Sequence, residues 1–469
     1  MDRSMWTKTR SLPRVAAALL LPFLAAAAAQ PEATPVQGPT AAPDPATTGW
    51  LLVSAGLVLF MVTGLALFYG GLVRRKNVLN TMMMSFVCLG IVALGWVFFG
   101  YSIAYAPGST FLGGPAHFFL SGIGLAGEGV PAVLDVAFQG GFAIVAAALV
   151  SGAVVERMSF SAYTIFIALW SVLVYAPLAH WAWGGGIFDD LFGRSVIDFA
   201  GGTVVHVNAA VSALVLALLV GKRRDYGLRA MLPHQIPLAL IGAGILWFGW
   251  FGFNGGSAYA ADGYAALAFL NTLLAPAATL VAWMLLDTFR TGKVTAVGLA
   301  TAIVVGLVAI TPGAGVMSPM AAVLTGAAAA LPCYLAIGWR ARSRVDDSLD
   351  VFAAHGVGGI TGALLTGLFA SVAWGSPVEG GLAQLATQAL GVVISIVFSA
   401  SGTLLIAAAV SLVVPLRTED GQEAVGLDIP LHGEEGYSDG EGALLIPVVS
   451  SSKAAEIAGT ATRALGGRA

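Results

Sequence analysis

The sequence predicts an all-α polytopic membrane protein with eleven transmembrane helices, and three observations carry that prediction. Hydrophobic residues make up 58% of the 469-residue chain and charged residues only 10%, where soluble domains carry about 25% charged residues. Eleven stretches reach the roughly 20 apolar residues that a hydrocarbon core of about 30 Å demands. Basic residues in the connecting loops alternate between the two faces, fourteen on one side and one on the other, which is the asymmetry that orients membrane helices.

The elements follow in order. Arg3, Lys8, Arg10 and Arg14 precede an apolar run from Val15 that ends in the alanines of 25–29, so residues 1–29 read as a cleavable signal peptide. A twelfth span is disfavoured there because the run is short and broken by Pro13 and Pro22. Residues 30–48, rich in Pro, Ala and Thr, form a flexible exported leader. The spans are expected near 49–73, 78–105, 133–155, 160–181, 197–221, 235–256, 261–287, 294–311, 315–338, 348–374 and 384–415, making 49–415 one eleven-helix domain and 416–469 a cytoplasmic regulatory tail. With the leader outside, Arg74, Arg75, Lys76, Arg157, Lys222, Arg223, Arg224, Arg229, Arg290, Lys293, Arg340, Arg342, Arg344 and Arg417 fall inside, and only Arg194 falls outside. One helix more or fewer would scramble that alternation. The termini are therefore placed with the N-terminus outside and the C-terminus in the cytoplasm of a multi-pass inner (plasma) membrane protein.

The net charge of −3 averages a lipid-embedded body with a soluble tail and points to no nucleic acid. Cys88 and Cys333, the only cysteines, lie in apolar runs and read as small core residues rather than a disulfide or a metal pair.

Eleven spans divide as five, five and one. Two consecutive five-helix units must lie in opposite orientations, the inverted-repeat plan of many transport proteins. The trace is visible in "DFAGGTVVH" and "DSLDVFAAH": Asp198 stands eight residues before His206 at the start of span five, and Asp347 eight before His355 at the start of span ten. An ionisable ring inside a bilayer is costly, so it marks function by default. A rise of about 12 Å from each opposite face would leave both rings near the midplane of a core of about 30 Å, within roughly 6 Å in depth. The aspartates have a structural role available, capping free N–H groups at a helix start; Asp198 is read as shaping the outer mouth, and Asp347 and Asp350 as structural.

Three further strings gather aromatic residues. "AFQGGFA" sets Phe138 and Phe142 on one face of span three, "WFGWFGFNGGS" sets Trp247, Trp250, Phe251, Phe253 and Ser257 at the end of span six, and "PLAHWAWGGG" sets His180, Trp181 and Trp183 at the outer end of span four. Each alone reads as packing or an interfacial belt. Together they supply an electron-rich box for a small cation.

These strings, with "DVFAAHGVGG" and the tail "GLDIPLHGEEGYS", resemble the signature segments of the ammonium transporter (Amt/Rh) family, bacterial Amt branch, from about residue 49 to 437. The resemblance implies the ammonium transporter fold, a homotrimer with one pore per subunit, no cofactor and no enzymatic activity. It implies that Phe142, Trp183 and Ser257 recruit ammonium, that Phe142 and Phe253 form a gate, that His206 and His355 line the pore as proton relay, and that Asp198 is the acid near the outer mouth. Methylammonium and ammonia are the implied relatives of the substrate, and a cytosolic PII-type signal protein the implied partner, matched by the acidic tail residues Glu419, Asp420, Glu423, Glu434 and Glu435 facing the basic loops. The loop of residues 184–197 and the extension after Tyr437 depart from the pattern.

A pore lined by phenylalanine is a poor path for an ion, because burying an uncompensated charge is prohibitive. Ammonium escapes that penalty by releasing its proton, so ammonia passes neutral imidazoles that share hydrogen bonds. The alternatives are an ammonium sensor signalling through its tail, an Rh-type gas channel, and a haem protein with His206 and His355 as axial ligands; the aromatic plugs argue against the last.

Overall fold

The structure is a computed structural model that describes residues 42–127 and 129–437. The expected signal peptide, all but the last seven residues of the expected leader and the extension beyond Tyr437 lie outside the described residues.

Among the described residues, eleven helices are long and apolar enough to span a membrane: Pro45–Leu72, Arg75–Tyr105, Ala132–Ser151, Phe160–Trp183, Gly202–Val220, Ile236–Gly256, Gly263–Thr291, Ala296–Gly313, Pro319–Arg340, Phe352–Phe369 and Leu382–Ser411. Among the described residues the only β pairings are isolated bridges. Helix termini follow capping chemistry rather than hydropathy. The first span starts at Pro45, earlier than the apolar run, because the Asp44 carboxylate accepts the Thr47 N–H at 2.7 Å and proline is suited to the first turn. Leu52, Leu59, Phe248, Leu285, Leu335 and Leu405 are exposed on the outside of the bundle, as a lipid-facing surface requires.

Spans one and six pack tightly because small residues line their seam. A Cβ at Gly242 would lie 2.3 Å from the Phe68 amide nitrogen, and one at Gly71 2.6 Å from that of Ala239. Neither backbone can retreat, so only glycine permits this approach. These two helices hold equivalent places in the two five-helix units.

Spans five and ten begin later than hydropathy suggests, and for one shared reason. Each opens with π-helical turns, Gly202–Val207 and Phe352–Val357, before continuing as α-helix. Asp198 accepts N–H bonds from Gly201, Gly202, Thr203 and Val204 at 2.6–3.0 Å, and Asp347 accepts those of Val351 and Phe352 at 3.1 and 2.7 Å. The repeated aspartate thus caps the start of each of these two helices.

The basic loops converge at one end of the bundle. There Glu156, its side chain fully buried, pairs with Arg74 at 2.9 Å and Arg223 at 2.8 Å, and Arg223 binds Asp346 at 2.7 Å. The buried Arg157 donates to the carbonyls of Gly221 and Asp346 and to the Ser348 hydroxyl, each at 2.6 Å. Four inter-helix loops are stapled together this way. The tail folds back onto the same end of its own chain: Glu423 pairs with Arg417 at 2.6 Å, Asp428 accepts the N–H groups of Leu79 and Asn80, and Tyr437 donates to Gln235. Glu423 is therefore held within the chain, whereas Glu419, Asp420, Glu434 and Glu435 stay exposed.

Burial pushes the Glu156 carboxyl up, but the Arg223 and Arg74 guanidiniums outweigh it and hold the group below its ordinary 4.5. Asp346 is likewise raised by burial and drawn below its ordinary 3.8 by Arg223. Folded values below the unfolded ones give stability that is complete above about pH 4.5 and lost as pH falls through the folded values. The thermal midpoint of purified protein is expected to drop below about pH 4.5, and E156Q to lose much of that acid-limb dependence. A midpoint indifferent to pH in that window would contradict the role given to this network.

Candidate functional site

Span three sets Asp135, Phe138, Gln139 and Phe142 along one face by their spacing of three, four and seven. They meet the end of span six, which carries Trp250, Phe253 and Ser257, and the end of span four at Trp183. A cavity of about 510 Å³ opens here, at the end of the bundle opposite the basic loops, lined by Asp135, Gln139, Phe142, Trp183, Ser257 and Tyr259 among others. The three residues expected to recruit a cation, Phe142, Trp183 and Ser257, all face this vestibule.

Each of them is positioned by a specific bond or ring contact. The Trp183 indole N–H donates to the Asp198 carbonyl at 2.7 Å and its ring stands edge-on to Phe142 at 6.2 Å. The Ser257 hydroxyl donates to the Phe253 carbonyl at 2.8 Å. Its proton is thereby committed, and its oxygen remains an acceptor for another donor. Phe142 and Phe253 stack at 3.9 Å with 19° between their planes, and both are buried. They close the floor of the vestibule.

Beyond that floor lie the two histidines. The His206 ring stacks on Trp250 at 5.2 Å, and Trp250 is fixed by its N–H bond to Thr311 at 2.9 Å. His206 Nδ1 and His355 Nδ1 are 3.3 Å apart. Two such nitrogens can bond only if one carries the hydrogen and the other a lone pair, so at least one imidazole of the pair is neutral. His206 Nε2 is buried without a hydrogen-bond partner among the described residues. His355 reaches a second cavity, about 150 Å³, toward the basic end beside Ser348 and Asp350. Vestibule, stacked phenylalanines, paired imidazoles and second cavity thus form one contiguous series.

The rings meet as expected, but by a different geometry. The segment from Asp198 to Gly201 is not helical, Gly201 has φ +104°, and His206 lies within the π-helical turns that follow. A uniform rise of about 12 Å along a regular helix therefore does not apply. Close crossing of spans five and ten brings the rings together instead: a Cβ on Gly359 would lie 3.0 Å from the Gly202 carbonyl oxygen and 3.4 Å from His206 Cβ.

Other highlighted residues are structural. His180 bonds the carbonyls of Ala104 and Ser109 at 2.9 and 2.8 Å, Trp247 donates to the Thr272 carbonyl, and Phe251 stacks on Phe269 at 4.1 Å. Cys88 and Cys333 are buried and free. One group in the vestibule escaped the sequence reading. Asp135 accepts hydroxyl bonds from Tyr101 at 2.7 Å and Tyr259 at 2.5 Å, and Tyr259 in turn accepts from the Gln139 amide at 2.7 Å. The signal was available: an acid inside an apolar span, seven residues before Phe142.

Eleven membrane-crossing helices, two of which open with π-turns and meet between a cavity at either end, have the architecture of a transport protein. The model of the Ammonium Transporter Family matches residues 49–437. The chain is 46% identical to an ammonium transporter of Aquifex aeolicus, covering 84% of this chain and 94% of that protein, and 41% identical to one of Bacillus subtilis, covering 84% and 98%. Its fold is similar to the crystal structure of Candida albicans Mep2, with TM-score 0.75 and 35% identity over 81% of this chain and 88% of that one. It is also similar to a structure titled Sensor Amt Protein, with TM-score 0.77 and 30% identity over 82% and 98%. The chain belongs to the ammonium transporter family.

Proposed function

We propose that this protein takes up ammonium at the Phe142, Trp183 and Ser257 vestibule, that its proton passes near the Phe142 and Phe253 gate to the His206 and His355 imidazoles, which relay it, and that ammonia is conducted past the same rings. The observation that carries the reading is the buried His206 Nε2 without a partner, directly beyond the stacked rings. Such a nitrogen lacks a hydrogen bond worth about 1–3 kcal/mol until a small polar molecule supplies it. In the vestibule, the Trp183 and Phe142 ring faces and the Ser257 lone pair suit a cation that bears N–H donors. The stacked rings do not suit an ion, which favours passage of the neutral form.

The vestibule faces outward and the basic end faces the cytosol, in keeping with the fourteen-to-one distribution of basic loop residues. In this reading the subunit works in an inner-membrane homotrimer, and the exposed acids of the docked tail beside the basic loops are a surface for a cytosolic PII-type signal protein.

The test is methylammonium uptake by proteoliposomes, with particle mass measured on the same preparation. S257A removes a hydrogen bond to a charged group, worth about 1.5–3 kcal/mol, and is expected to raise KM about tenfold or more. W183L is expected to raise it by a smaller factor. Wild-type KM in both variants would overturn the recruitment reading.

A further inference from the structure

The outer vestibule holds a carboxylate that the aromatic recruitment site does not use. Asp135 stands in the first turn of span three, seven residues or about 10 Å of helix outward of Phe142. It is partly open to the same cavity. Two hydroxyls donate to it, one on each oxygen: Tyr259 to Oδ1 and Tyr101 to Oδ2. A carboxylate offers about four lone-pair sites, so each oxygen keeps acceptor capacity after these bonds.

The surrounding bonds are arranged with a single polarity. Tyr259 gives its hydrogen to Asp135, so toward Gln139 its oxygen can only accept, and the Gln139 amide nitrogen donates to it. That fixes the Gln139 side chain with its carbonyl oxygen turned away from Tyr259. Gln139 is only 8% exposed, and this Oε1 finds no donor in the chain. The Tyr105 hydroxyl, on another residue lining the vestibule, is also buried without a partner. Buried polar atoms without a partner are costly and call for an explanation, and these two belong to residues that line the cavity. Among the described residues no basic side chain lines this cavity. The set is one negative charge with unspent oxygen acceptors, in a mouth walled by tyrosines.

We propose that Asp135, positioned by Tyr101 and Tyr259 and joined by Gln139 and Tyr105, is an anionic capture subsite for ammonium or methylammonium, loading the aromatic site about 10 Å deeper. A cation with several N–H donors satisfies the carboxylate and the unpartnered oxygens together. A negative group in a low-dielectric mouth also raises the local cation concentration. Asp135 touches the substrate before any proton moves, so its contribution lies in capture and not in turnover.

The inference rests on the proposed outward orientation and ammonium uptake, and the experiment separates the two. Methylammonium uptake is measured in proteoliposomes for D135N, D135E, Q139M and, in parallel, S257A. D135N is expected to raise KM at least about fivefold with Vmax within about twofold, and D135E to recover most of the loss, because a surface-field effect follows charge. A purely structural aspartate would instead lower Vmax or protein yield without that split, and Glu would not rescue it. Wild-type KM in folded D135N overturns the subsite, as does a KM rise that D135E leaves in place. If D135N fails to reach the membrane, Q139M, which keeps the charge and removes the unpartnered oxygen, is expected to raise KM about threefold, and unchanged KM there overturns the proposal. S257A with raised KM beside an unaffected D135N removes the Asp135 subsite and leaves the recruitment reading standing; the converse result, with W183L also at wild-type KM, removes the aromatic site alone.

Discussion

Removing both imidazoles, in H206A/H355A, is expected to cut the ammonium-evoked current of proteoliposomes at least about tenfold, read on a solid-supported membrane. The reasoning starts from the 3.3 Å contact between the two Nδ1 atoms and the unpartnered His206 Nε2. An imidazole can take a proton on one ring nitrogen and release another from the opposite one, so two touching rings can pass a proton along the series from gate to inner cavity. Alanine has neither nitrogen. In an apolar bore, each lost hydrogen-bond partner costs about 1–3 kcal/mol, which is roughly five- to 150-fold.

Two measurements tell relay from mere packing. Ammonia passage is read as internal alkalinisation with a trapped dye, and charge movement as current. H206Q keeps a donor and an acceptor but cannot exchange them through a conjugated ring. It is expected to retain more of the alkalinisation than of the current. Full, coupled currents in the double alanine variant would sink the relay, and equal loss of both signals in H206Q would reduce the pair to shape.

The histidines were legible in the sequence because bilayer physics makes them conspicuous: a titratable ring in a long apolar run has few structural excuses. The same rule applied to Asp135 and was missed, because its neighbours in "AVLDVAFQGG" drew attention to the aromatic stripe instead. Span number was legible for a similar reason, since hydrocarbon thickness acts residue by residue. What could not be read was the hydrogen-bond register of the backbone. Nothing in the composition of Gly202–Val207 or Phe352–Val357 separates a π-turn from an α-turn, and that choice sets where the rings point. The loop network of Glu156, Arg74, Arg223 and Asp346 was illegible for another reason. Its members are up to 272 residues apart, from Arg74 to Asp346, and each looks like an ordinary solvated loop charge until the loops converge.

The largest effect on the fold is expected at Asp198. Its two oxygens accept four backbone N–H groups, two each, at the start of the fifth span. Hydrogen bonds to a charged acceptor are worth about 1.5–3 kcal/mol apiece, and unmade buried donors cost a comparable amount. Against a total stability of about 5–15 kcal/mol, D198A is expected to leave little folded protein in the membrane and no measurable uptake. D198N is the informative variant. Its amide keeps one accepting oxygen but turns an NH₂ toward two backbone N–H donors, so it retains about half the cap and lowers the thermal midpoint while still folding. The Asp198 carbonyl also holds the Trp183 indole, and a loosened cap frees that ring. D198N is therefore expected to raise the methylammonium KM in step with W183L, and the two changes combined to raise it no further than either alone, because they disturb one contact. An additive double variant would mean that the Asp198 charge acts on the cation directly. A D198A protein of wild-type midpoint and uptake would mean that the four bonds do not hold the start of this helix, and with it the position of His206, in place.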